Sequence, residues 1–445
     1  MEKDEPVLLI AAGMLQEKKP FLKNKVDNIY LNYGLLGLGT TLYNKGYKSV
    51  KMFQGDRKSS AEILLEIEES GIVLKDLKYP VFISVPSFFS VPWAMDFMEE
   101  LKLRSGNIKI ILGGRWVLDK NLEWCKKKFK HVDYYCTGCP DNIIEKLLFS
   151  CKWSELSGSL SSNTPFGKFE FDILNNFKEY QPVIEVSRGC GRGCGFCLEK
   201  EYPVSGVKNA KNVVEEAMDI CKTYGTDELN FYFQASIFNP SIQWAEEFRT
   251  YYKNNDMKFK WRFETRVDTI NHEALAILAD AGLKVIDLGL ESASHIQLLR
   301  MGKCKNPNNY LENASNLLSF MKRKGIWSKL NILLYMGENE ETIAETMEWL
   351  DRQHDNIVGL SVNPIIIYLN GKETDAFINH VTQETEMAVD VDFLEEHGYT
   401  NIDLSKEINI EKAQDITNML LEKYMTMENY QTLKSICYTK RELGC

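Results

Sequence analysis

The sequence contains no hydrophobic run long enough to cross a membrane. A membrane-spanning helix needs roughly 20 predominantly apolar residues, and no uninterrupted apolar stretch in this chain of 445 residues approaches that length. The first five residues, Met1-Glu2-Lys3-Asp4-Glu5, also lack the basic start and apolar core of a secretory signal. We therefore expect a cytoplasmic protein with no membrane association.

An excess of positive charge is absent as well. The chain has 53 Lys and Arg against 63 Asp and Glu, which gives a formal net charge of −10. Binding to a phosphate backbone needs clustered Lys and Arg, so we expect no nucleic-acid partner. The 6 histidines show no spacing typical of metal ligands. The composition is that of an ordinary globular protein, and the length predicts two or three domains.

Cysteines, by contrast, are plentiful, and three of the 11 lie within eight residues, Cys190-Gly191-Arg192-Gly193-Cys194-Gly195-Phe196-Cys197. Thiolates at this spacing can surround one iron–sulfur cluster, and the glycines allow tight turns of the backbone. A cluster of four irons normally takes four cysteines, so three leave one iron open to bind and activate a ligand. The alternative is that the three cysteines are structural thiols buried in a core. We disfavour it, because the glycines between these cysteines have no side chains to pack in a core.

The motif, with an aromatic residue before its last cysteine, resembles the radical S-adenosylmethionine (SAM) enzymes. The resemblance implies that Cys190, Cys194 and Cys197 hold a [4Fe–4S] cluster and that the amino and carboxylate groups of SAM chelate the fourth iron. An electron from the cluster then cleaves SAM to methionine and a 5′-deoxyadenosyl radical. The implied partners are a small-molecule substrate and an electron donor such as flavodoxin or ferredoxin.

Residues 182–370 alternate strand and helix patterns, as in the partial (βα)6 barrel of this family, whose chemistry lies at the carboxyl ends of the strands. The predicted strands are Val183–Val186, Leu229–Phe233, Lys258–Glu264, Lys284–Leu288, Lys329–Tyr335 and Val358–Ile366. The predicted helices are Ala210–Lys222, Ile242–Tyr252, Glu273–Ala281, Tyr310–Lys324 and Glu341–Arg352.

Several residues at these strand ends match SAM-binding motifs of the family. The segment Gly289-Leu290-Glu291-Ser292 resembles Gly-Ile-Glu-Ser, whose carboxylate accepts hydrogen bonds from the SAM ribose, and Arg266 matches the arginine that faces the SAM carboxylate. For Lys303 we expect a solvated role. The turn after Asn331 resembles Gly-x-Pro-Gly-Glu-Thr, with Tyr335 and Met336 in place of Gly and Pro. The resemblance thus implies SAM contacts from Phe196, Gln234, Ser236, Arg266, Gly289, Glu291, Ser292, Asn331 and Tyr335.

The end of the second barrel strand departs from the family pattern. Relatives with a cobalamin domain often read Phe-x-Asp-Asp-x-Phe there, whereas this chain has Ala235 and Ser236 in place of the two acids. Gln234 and Ser236 can still hydrogen-bond the SAM amino group, but no carboxylate is available from this turn. The departure weakens an assignment to the methylating subgroup.

Residues 1–151 show the βαβα pattern of a Rossmann-like, doubly wound parallel sheet, in which ligands bind at the carboxyl ends of the strands. The predicted strands are Val7–Ala12, Val50–Phe53, Val81–Val85, Lys109–Leu112 and Val132–Tyr135. The predicted helices are Leu35–Lys45, Ala61–Glu69, Pro92–Leu103, Leu122–Phe129 and Asn142–Phe149.

This segment resembles the cobalamin (B12)-binding domain that precedes the SAM domain in many radical SAM enzymes. The resemblance rests on Tyr33–Gly37, Ile83–Val85 and Leu112–Gly114, and it implies cobalamin contacts from Ser84, Ser87, Gly113 and Gly114. The chain has no Asp-x-His-x-x-Gly motif for the lower cobalt face, and Trp116 could fill the space that a corrin needs. Two interpretations stay open: bound cobalamin, or a domain kept for packing or substrate binding.

Three further regions complete the predicted organisation. Residues 152–181 form a linker, whose aromatic residues Phe166, Phe169, Phe171, Phe177 and Tyr180 we expect to pack across both domains. Residues 371–445 are predicted to be mostly helical, with helices at Glu411–Met425 and Glu428–Ser435, and to cover the barrel mouth. The pair Cys136-x-x-Cys139 favours two thiols at a strand end over a redox or metal site, and Cys437 and Cys445 are too few for a second cluster.

The predicted fold is therefore an α/β chain with a B12-binding-like sheet, a partial radical SAM barrel and a helical C-terminal extension. The predicted activity is hydrogen abstraction from a small molecule, leading to cobalamin-dependent methyl transfer. The alternative is cobalamin-independent dehydration, oxidation, rearrangement or ring formation. A non-enzymatic electron-transfer protein is disfavoured, because SAM-binding motifs have no purpose there.

Overall fold

The computed structural model describes residues 2–14, 31–156, 165, 167–197, 199–200, 202–204 and 206–436. Two parallel sheets, of five and six strands, make up the framework, and a two-stranded sheet joins the C-terminal region to it. In the described ranges no helix is both long and apolar enough to cross a membrane.

The first sheet has the strand order β2-β1-β3-β4-β5, and every neighbouring pair is parallel. Its strands are β1 (Val7–Ala11), β2 (Val50–Gln54), β3 (Val81–Ser84), β4 (Ile110–Gly113) and β5 (Tyr134–Tyr135). The helices are α1 (Tyr33–Asn44), α2 (Ser60–Glu69), α3 (Val91–Arg104), α4 (Leu122–Lys128) and α5 (Ile144–Leu147). The strand order reverses between β1 and β3, and crevices at such points bind ligands at the carboxyl ends of the strands. The predicted doubly wound sheet is confirmed.

The second sheet runs in sequence order from β6 to β11, with all neighbours parallel. Its strands are β6 (Val183–Glu185), β7 (Asn230–Gln234), β8 (Lys260–Arg266), β9 (Leu283–Glu291), β10 (Trp327–Leu334) and β11 (Gly359–Pro364). The helices are α6 (Ala210–Tyr224), α7 (Ile242–Asn254), α8 (His272–Ala279), α9 (His295–Arg300), α10 (Pro307–Arg323) and α11 (Glu340–Arg352). This arrangement confirms the predicted partial barrel; the short α9 was not predicted.

The predicted last barrel strand, Val358–Ile366, is wrong in its extent. The barrel strand β11 ends at Pro364, and after Ile365 the chain forms β12 (Ile366–Tyr368), which leaves the barrel and pairs antiparallel with β13 (Tyr399–Asn401). Proline has no N–H to donate to a strand ladder, so it marks the end of the pairing. The sequence analysis missed β13 and the helices α12 (Lys372–Thr385) and α13 (Val391–His397). It did predict the helices α14 (Ile410–Tyr424) and α15 (Met427–Lys434).

The segment between the two sheets packs against both. The Glu170 amide donates to Thr40 Oγ1 of α1 at 2.9 Å, and the Asn175 amide donates to the Met52 carbonyl of β2 at 2.8 Å. On the barrel side, the Phe171 ring meets the ring of Tyr224 edge to face at 5.6 Å. The segment thus contacts both domains; of its predicted aromatic residues, Phe171 and Phe177 pack against Tyr224 on the barrel side. Phe166, most of the predicted linker before it, Cys437 and Cys445 lie outside the described residues.

Candidate active site

The loop after β6 carries the three motif cysteines and needs glycine at several positions. A Cβ on Gly189 would lie 2.2 Å from the Pro203 carbonyl oxygen, and Gly191 has φ +64° with a Cβ position 2.9 Å from Pro203 Cα. Side chains are disfavoured at both places. A hydrogen bond also connects the loop to the barrel: the Gly195 amide donates to the Met301 carbonyl at 2.9 Å.

The three cysteine thiols lie near one another at the mouth of the barrel. Cys194 is buried, Cys190 and Cys197 are half-buried, and none is in a disulfide. Burial raises the pKa of Cys197, and the neighbouring Cys190 and Cys194 raise it further. Within the described ranges no three His, Cys, Asp or Glu side chains converge as ligands of a single metal ion. In a four-iron cluster each thiolate binds a different iron, so the ligands of a cluster need not converge on one point.

Arg266, at the end of β8, contacts a motif cysteine directly. Its Nη1 donates to Cys194 Sγ at 3.2 Å, and its Nε and Nη2 donate to the two carboxylate oxygens of Asp268 at 2.8 and 2.9 Å. Nη2 also donates to the Lys303 carbonyl. Four of the five guanidinium N–H groups are therefore used by described residues, and one remains for another acceptor. Asp268, which the sequence analysis did not select, orients this arginine.

Glu291 ends β9 in a backbone conformation that is rare for its residue type. Its φ of +71° lies in the left-handed region, and such outliers concentrate at functional sites. Lys303 Nζ donates to Glu291 Oε1 at 2.9 Å, and only 4% of the Lys303 side chain is exposed. The expectation that Lys303 is solvated is therefore wrong: the chain turns back after α9 and buries it against Glu291. A Cβ on Gly289 would lie 2.9 Å from Glu291 Oε1, so glycine there leaves room for the carboxylate.

The other residues predicted to contact SAM differ in how far their side chains are buried. Ser292 is 1% exposed, and its hydroxyl lies 3.1 Å from Thr346 Oγ1 of α11, under the strand end. Tyr335 is also buried and meets Phe196 edge to face, with ring centres 6.3 Å apart. Half-buried Asn331 sits on β10 opposite Gly289. Tyr335 thus packs against Phe196 of the cysteine loop, and Asn331 lies beside the end of β9 that carries Glu291.

The end of β7 is linked to the first domain by a residue that the sequence analysis missed. Glu199, two positions after Cys197, accepts a hydrogen bond from Ser236 Oγ at 3.2 Å and from Arg115 Nη2 at 2.8 Å. The Glu199 amide lies 3.4 Å from Cys197 Sγ. Glu199 therefore connects the cysteine loop, the β7 end and the β4 loop of the first sheet. In the sequence, only the position of Glu199 two residues after the last motif cysteine could have indicated that it belongs to the site.

A second charged network lies at the base of the cysteine loop. Arg188 donates to Glu185 Oε1 and to Asp141 Oδ2, both at 2.8 Å, and Cys139 Sγ lies 2.8 Å from Asp141 Oδ1. Burial raises the pKa of Cys136 and of Cys139 to about 12. Both thiols therefore carry their proton at neutral pH, and neither is activated as a nucleophile.

A cavity of about 900 Å³ lies between the two sheets. Its walls are the carboxyl ends of the first sheet, the cysteine loop, the end of β7 and the segment around β12. Of the predicted contacts, the following line it: Ser84, Ser87, Gly113, Gly114, Phe196, Ser236 and Cys197. Arg266, Glu291 and Asn331 are not among the lining residues. The cavity thus meets the cluster loop on one side and the predicted cobalamin contacts on the other.

The tryptophan that could have filled this cavity points elsewhere. Trp116 is 4% exposed and packs against Phe88, Trp124 and Tyr368, with ring centres 5.6, 6.5 and 5.6 Å apart. It is absent from the residues that line the cavity among those described. The β12–β13 pair draws Trp116 into a cluster of aromatic rings at the cavity edge, so the cavity stays open.

Residues 184–350 match the family model of the Radical SAM superfamily, and they span the cysteine loop and the barrel. This stretch is a radical SAM domain. A methyltransferase of Pyrococcus horikoshii, described as uncharacterized, is 25% identical over 143 residues, which are 31% of this chain and 30% of the relative.

Solved structures resemble nearly the whole chain. OxsB, a cobalamin-dependent SAM radical enzyme, superposes with a TM-score of 0.62 at 17% identity, over 94% of this chain and 61% of its own. TsrM, a radical SAM methyltransferase from Kitasatospora setae, gives a TM-score of 0.60 at 15% identity, over 86% of this chain and 77% of its own. At these identities the likeness establishes the fold alone: a five-stranded parallel sheet followed by a six-stranded partial barrel. The chain spans under a third of the curated relative and under two thirds of OxsB.

The radical SAM domain implies a [4Fe–4S] cluster and SAM as cofactors. The geometry of this chain is compatible with both. Three close thiols are presented by a glycine-rich loop, an arginine contacts one of them, and a strained glutamate stands at the end of β9.

Proposed function

We propose that this protein is a radical SAM enzyme that methylates a small molecule with the help of bound cobalamin. The observation that carries the proposal is the cavity, because it joins the carboxyl ends of the first sheet to the cysteine loop. A methyl carrier held by the first sheet would face a substrate lying over the cluster. When bound, the cluster and SAM supply a 5′-deoxyadenosyl radical, and cobalamin supplies a transferable methyl group.

The residues of the chain support distinct parts of this function. Cys190, Cys194 and Cys197 would hold the cluster, and Arg266 and Glu291 would hold the two ends of SAM. Ser84, Ser87, Gly113 and Gly114 offer small side chains along the sheet edge, where a large planar ligand needs close approach. Trp116, packed away in its aromatic cluster, leaves that approach free.

The charges on the cavity wall are largely paired across the domains. Arg115 pairs with Glu199, Arg188 pairs with Glu185 and Asp141, and Lys120 pairs with Glu373 of α12. These pairs connect the first sheet and the barrel around the cavity. We infer that the substrate is a small molecule, and the similarity to TsrM, whose structure holds a tryptophan substrate, supports this.

The first test is cofactor binding. The protein would be purified without oxygen, reconstituted with iron, sulfide and hydroxocobalamin, desalted, and examined by absorption spectroscopy. We expect a stoichiometric corrin beside the cluster absorbance, and S-adenosylhomocysteine as a product once a substrate is supplied. Cluster absorbance without retained corrin would favour the alternative, in which the first sheet binds substrate and the radical chemistry is cobalamin-independent.

A matched pair of variants makes the test specific to the cavity. Ser87→Trp places a bulky ring at the sheet edge that lines the cavity, whereas Leu103→Trp places one on the exposed end of α3, where Leu103 is 85% exposed. We expect Ser87→Trp to lose the corrin and keep the cluster, and Leu103→Trp to keep both. Equal corrin retention in the two variants would show that cobalamin does not bind in this cavity.

A further inference from the structure

Two segments at the cysteine loop contain no acidic residue. Residues 188–197, which include the cysteine loop, and residues 293–311, which include α9, lack both Asp and Glu. Their basic residues are Arg188, Arg192, Arg300, Lys303 and Lys305. The chain as a whole has a formal net charge of −10, so the charge of these segments is opposite in sign to that of the protein.

Ion pairs compensate three of these positive charges and leave two. Arg188, Arg300 and Lys303 each pair with a carboxylate. Arg192 and Lys305 are exposed, and neither forms an ion pair with a residue that the structure describes. Two uncompensated positive charges therefore face the solvent on these segments.

The two segments contact each other. The Gly195 amide donates to the Met301 carbonyl at 2.9 Å, and a Cβ on Gly302 would lie 3.7 Å from the Gly193 carbonyl oxygen. The exposed part of the cysteine loop therefore adjoins the exposed side of the turn after α9. We call this surface the loop face; its exposed residues are Gly191, Arg192, Gly193, Ile296, Leu299, Gly302 and Lys305.

The loop face has an apolar part as well as a charged part. Ile296 and Leu299, three positions apart on one side of α9, are 55% and 53% exposed. The Gly302 amide donates to the Leu299 carbonyl at 3.0 Å, so Leu299 is one turn away from the contact with the cysteine loop. Single exposed apolar side chains need no explanation. A pair of them beside uncompensated charges has the composition of a protein interface, with an apolar centre and a polar rim.

The loop face and the cavity use different parts of the cysteine loop. Gly195, Phe196 and Cys197 line the cavity, whereas no residue of the loop face is among the lining residues. The exposed Gly191–Gly193 connect Cys190 directly to Cys194, so the loop face reaches within one residue of two predicted cluster ligands. A partner on the loop face can therefore approach the cluster while the cavity holds a substrate.

We propose that the loop face is the docking surface for an acidic protein that delivers one electron to the cluster. This inference rests on the proposed radical SAM function and names the partner surface that this function requires. One electron leaves the carrier and enters the cluster, and no bond forms or breaks in the step. Arg192 and Lys305 attract a carrier of negative charge and guide its approach. A second copy of the chain is disfavoured, because an isologous dimer would place the same cationic patch on both sides of the interface.

The first test measures the binding of two acidic one-electron carriers, flavodoxin and a ferredoxin, to the reconstituted protein by anaerobic calorimetry. For the double variant Arg192→Glu, Lys305→Glu we expect the dissociation constants to rise about 10-fold at low salt, because the charges that guide the carrier are reversed. The wild-type affinity should fall as salt is added, since salt screens exposed charges. Leu299→Ser, which leaves the cysteine loop intact, should also weaken binding.

The double variant Lys260→Glu, Lys322→Glu is the matched control, with the same change in net charge. Lys260 begins β8, at the end of the barrel opposite the cysteine loop, and Lys322 lies in the last turn of α10. Both are exposed and lie outside the loop face. We expect this variant to bind both carriers as the wild type does. Equal weakening in the control would overturn the proposal in favour of an effect of net charge alone.

Stopped-flow reduction of the cluster gives a second readout. Reduced flavodoxin should reduce the cluster of the Arg192→Glu, Lys305→Glu variant about 10-fold more slowly than that of the wild type. Photoreduced 5-deazariboflavin, a small uncharged reductant, should reduce both equally fast, and iron content should be the same. Slower reduction by both reductants would overturn the proposal in favour of damage to the cluster site.

The outcomes also separate this inference from the proposed function. Unchanged carrier binding by both loop-face variants, or no binding of either carrier by the wild type, would overturn the inference and leave the radical SAM function intact. A wild-type dimer that these variants dissociate would overturn it as well, because the loop face would then join two copies. A wild-type cluster that 5-deazariboflavin reduces but that does not cleave SAM would overturn the proposed function, whatever the carrier binding.

Discussion

Arg266 donates a hydrogen bond to Cys194 Sγ at 3.2 Å, while Asp268 holds the opposite edge of its guanidinium. The contact joins the end of β8 to the cysteine loop, which are more than 70 residues apart in the chain. An N–H donor to a cluster sulfur stabilises the more negative, reduced state of a cluster and so raises its reduction potential. We therefore expect Arg266 to influence the reduction potential of the cluster.

Replacing Arg266 by lysine should lower the reduction potential of the cluster. Loss of one hydrogen bond worth about 1 kcal/mol corresponds to about 40 mV for a one-electron couple. The measurement is a redox titration followed by electron paramagnetic resonance. Arg192→Lys, in the same loop but exposed, should leave the potential unchanged. An unshifted potential with weakened SAM binding would mean that Arg266 acts on SAM alone.

Replacing any one of Cys190, Cys194 or Cys197 by alanine should abolish the cluster absorbance and the cleavage of SAM. Each removes one of the three thiolates on which the cluster depends, and no fourth cysteine of the loop can take its place. Iron analysis and absorption after anaerobic reconstitution provide the check. Cys221→Ala is the control, since Cys221 lies buried on α6, outside the loop. A full cluster in any of the three loop variants would contradict the assignment of the ligands.

Glu291→Ala should weaken SAM binding by about 1.5–3 kcal/mol, because one charge-assisted hydrogen bond to the ribose is lost in a partly dry site. It should also lower the thermal midpoint, since Lys303 then keeps its buried charge without the partner that it has at 2.9 Å.

The double variant Glu291→Ala, Lys303→Met separates these two effects. We expect it to regain thermal stability and to remain weak in SAM binding. Recovery of both properties would indicate that Glu291 acts through folding and not through the ribose. Calorimetric binding and thermal unfolding in parallel give the two readouts.

Glu338→Gln should make the protein more stable above neutral pH. Burial raises the pKa of Glu338 from 4.5 to about 7, against the opposing hydrogen bond from Thr342. The folded state then binds more protons than the unfolded state between about pH 4.5 and 7, so this group lowers stability as pH rises through that window. The full effect above pH 7 is about 3 kcal/mol.

Thermal unfolding of the wild type and of Glu338→Gln at pH 5 and at pH 8 measures this contribution. The variant should gain stability relative to the wild type at pH 8 and show little difference at pH 5. Arg300, whose positive charge acts on Glu338, is unchanged in the variant. An equal difference at both pH values would mean that Glu338 is ionised in the folded protein throughout.

The cysteine loop and the order of strands and helices were predictable because their signals are local. Three cysteines within eight residues and the glycines between them define one loop, whatever surrounds it. Apolar runs separated by amphipathic stretches likewise predicted both parallel sheets, since strands buried on both faces need continuous apolar residues. The failures were also local: Pro364 ends β11, and the apolar residues after it looked like a continuation of the same strand.

The partners of the site residues depended on contacts between distant parts of the chain. Lys303 was expected in solvent, yet the turn after α9 buries it against Glu291, and Trp116 is drawn out of the cavity by Tyr368, far along the chain. Glu199 belongs to no motif, and only domain packing brings it beside Ser236 and Arg115. Residue spacing determines which side chains share a loop or a strand face. Which charges meet is decided by tertiary packing, because burial and pairing depend on every element that surrounds them.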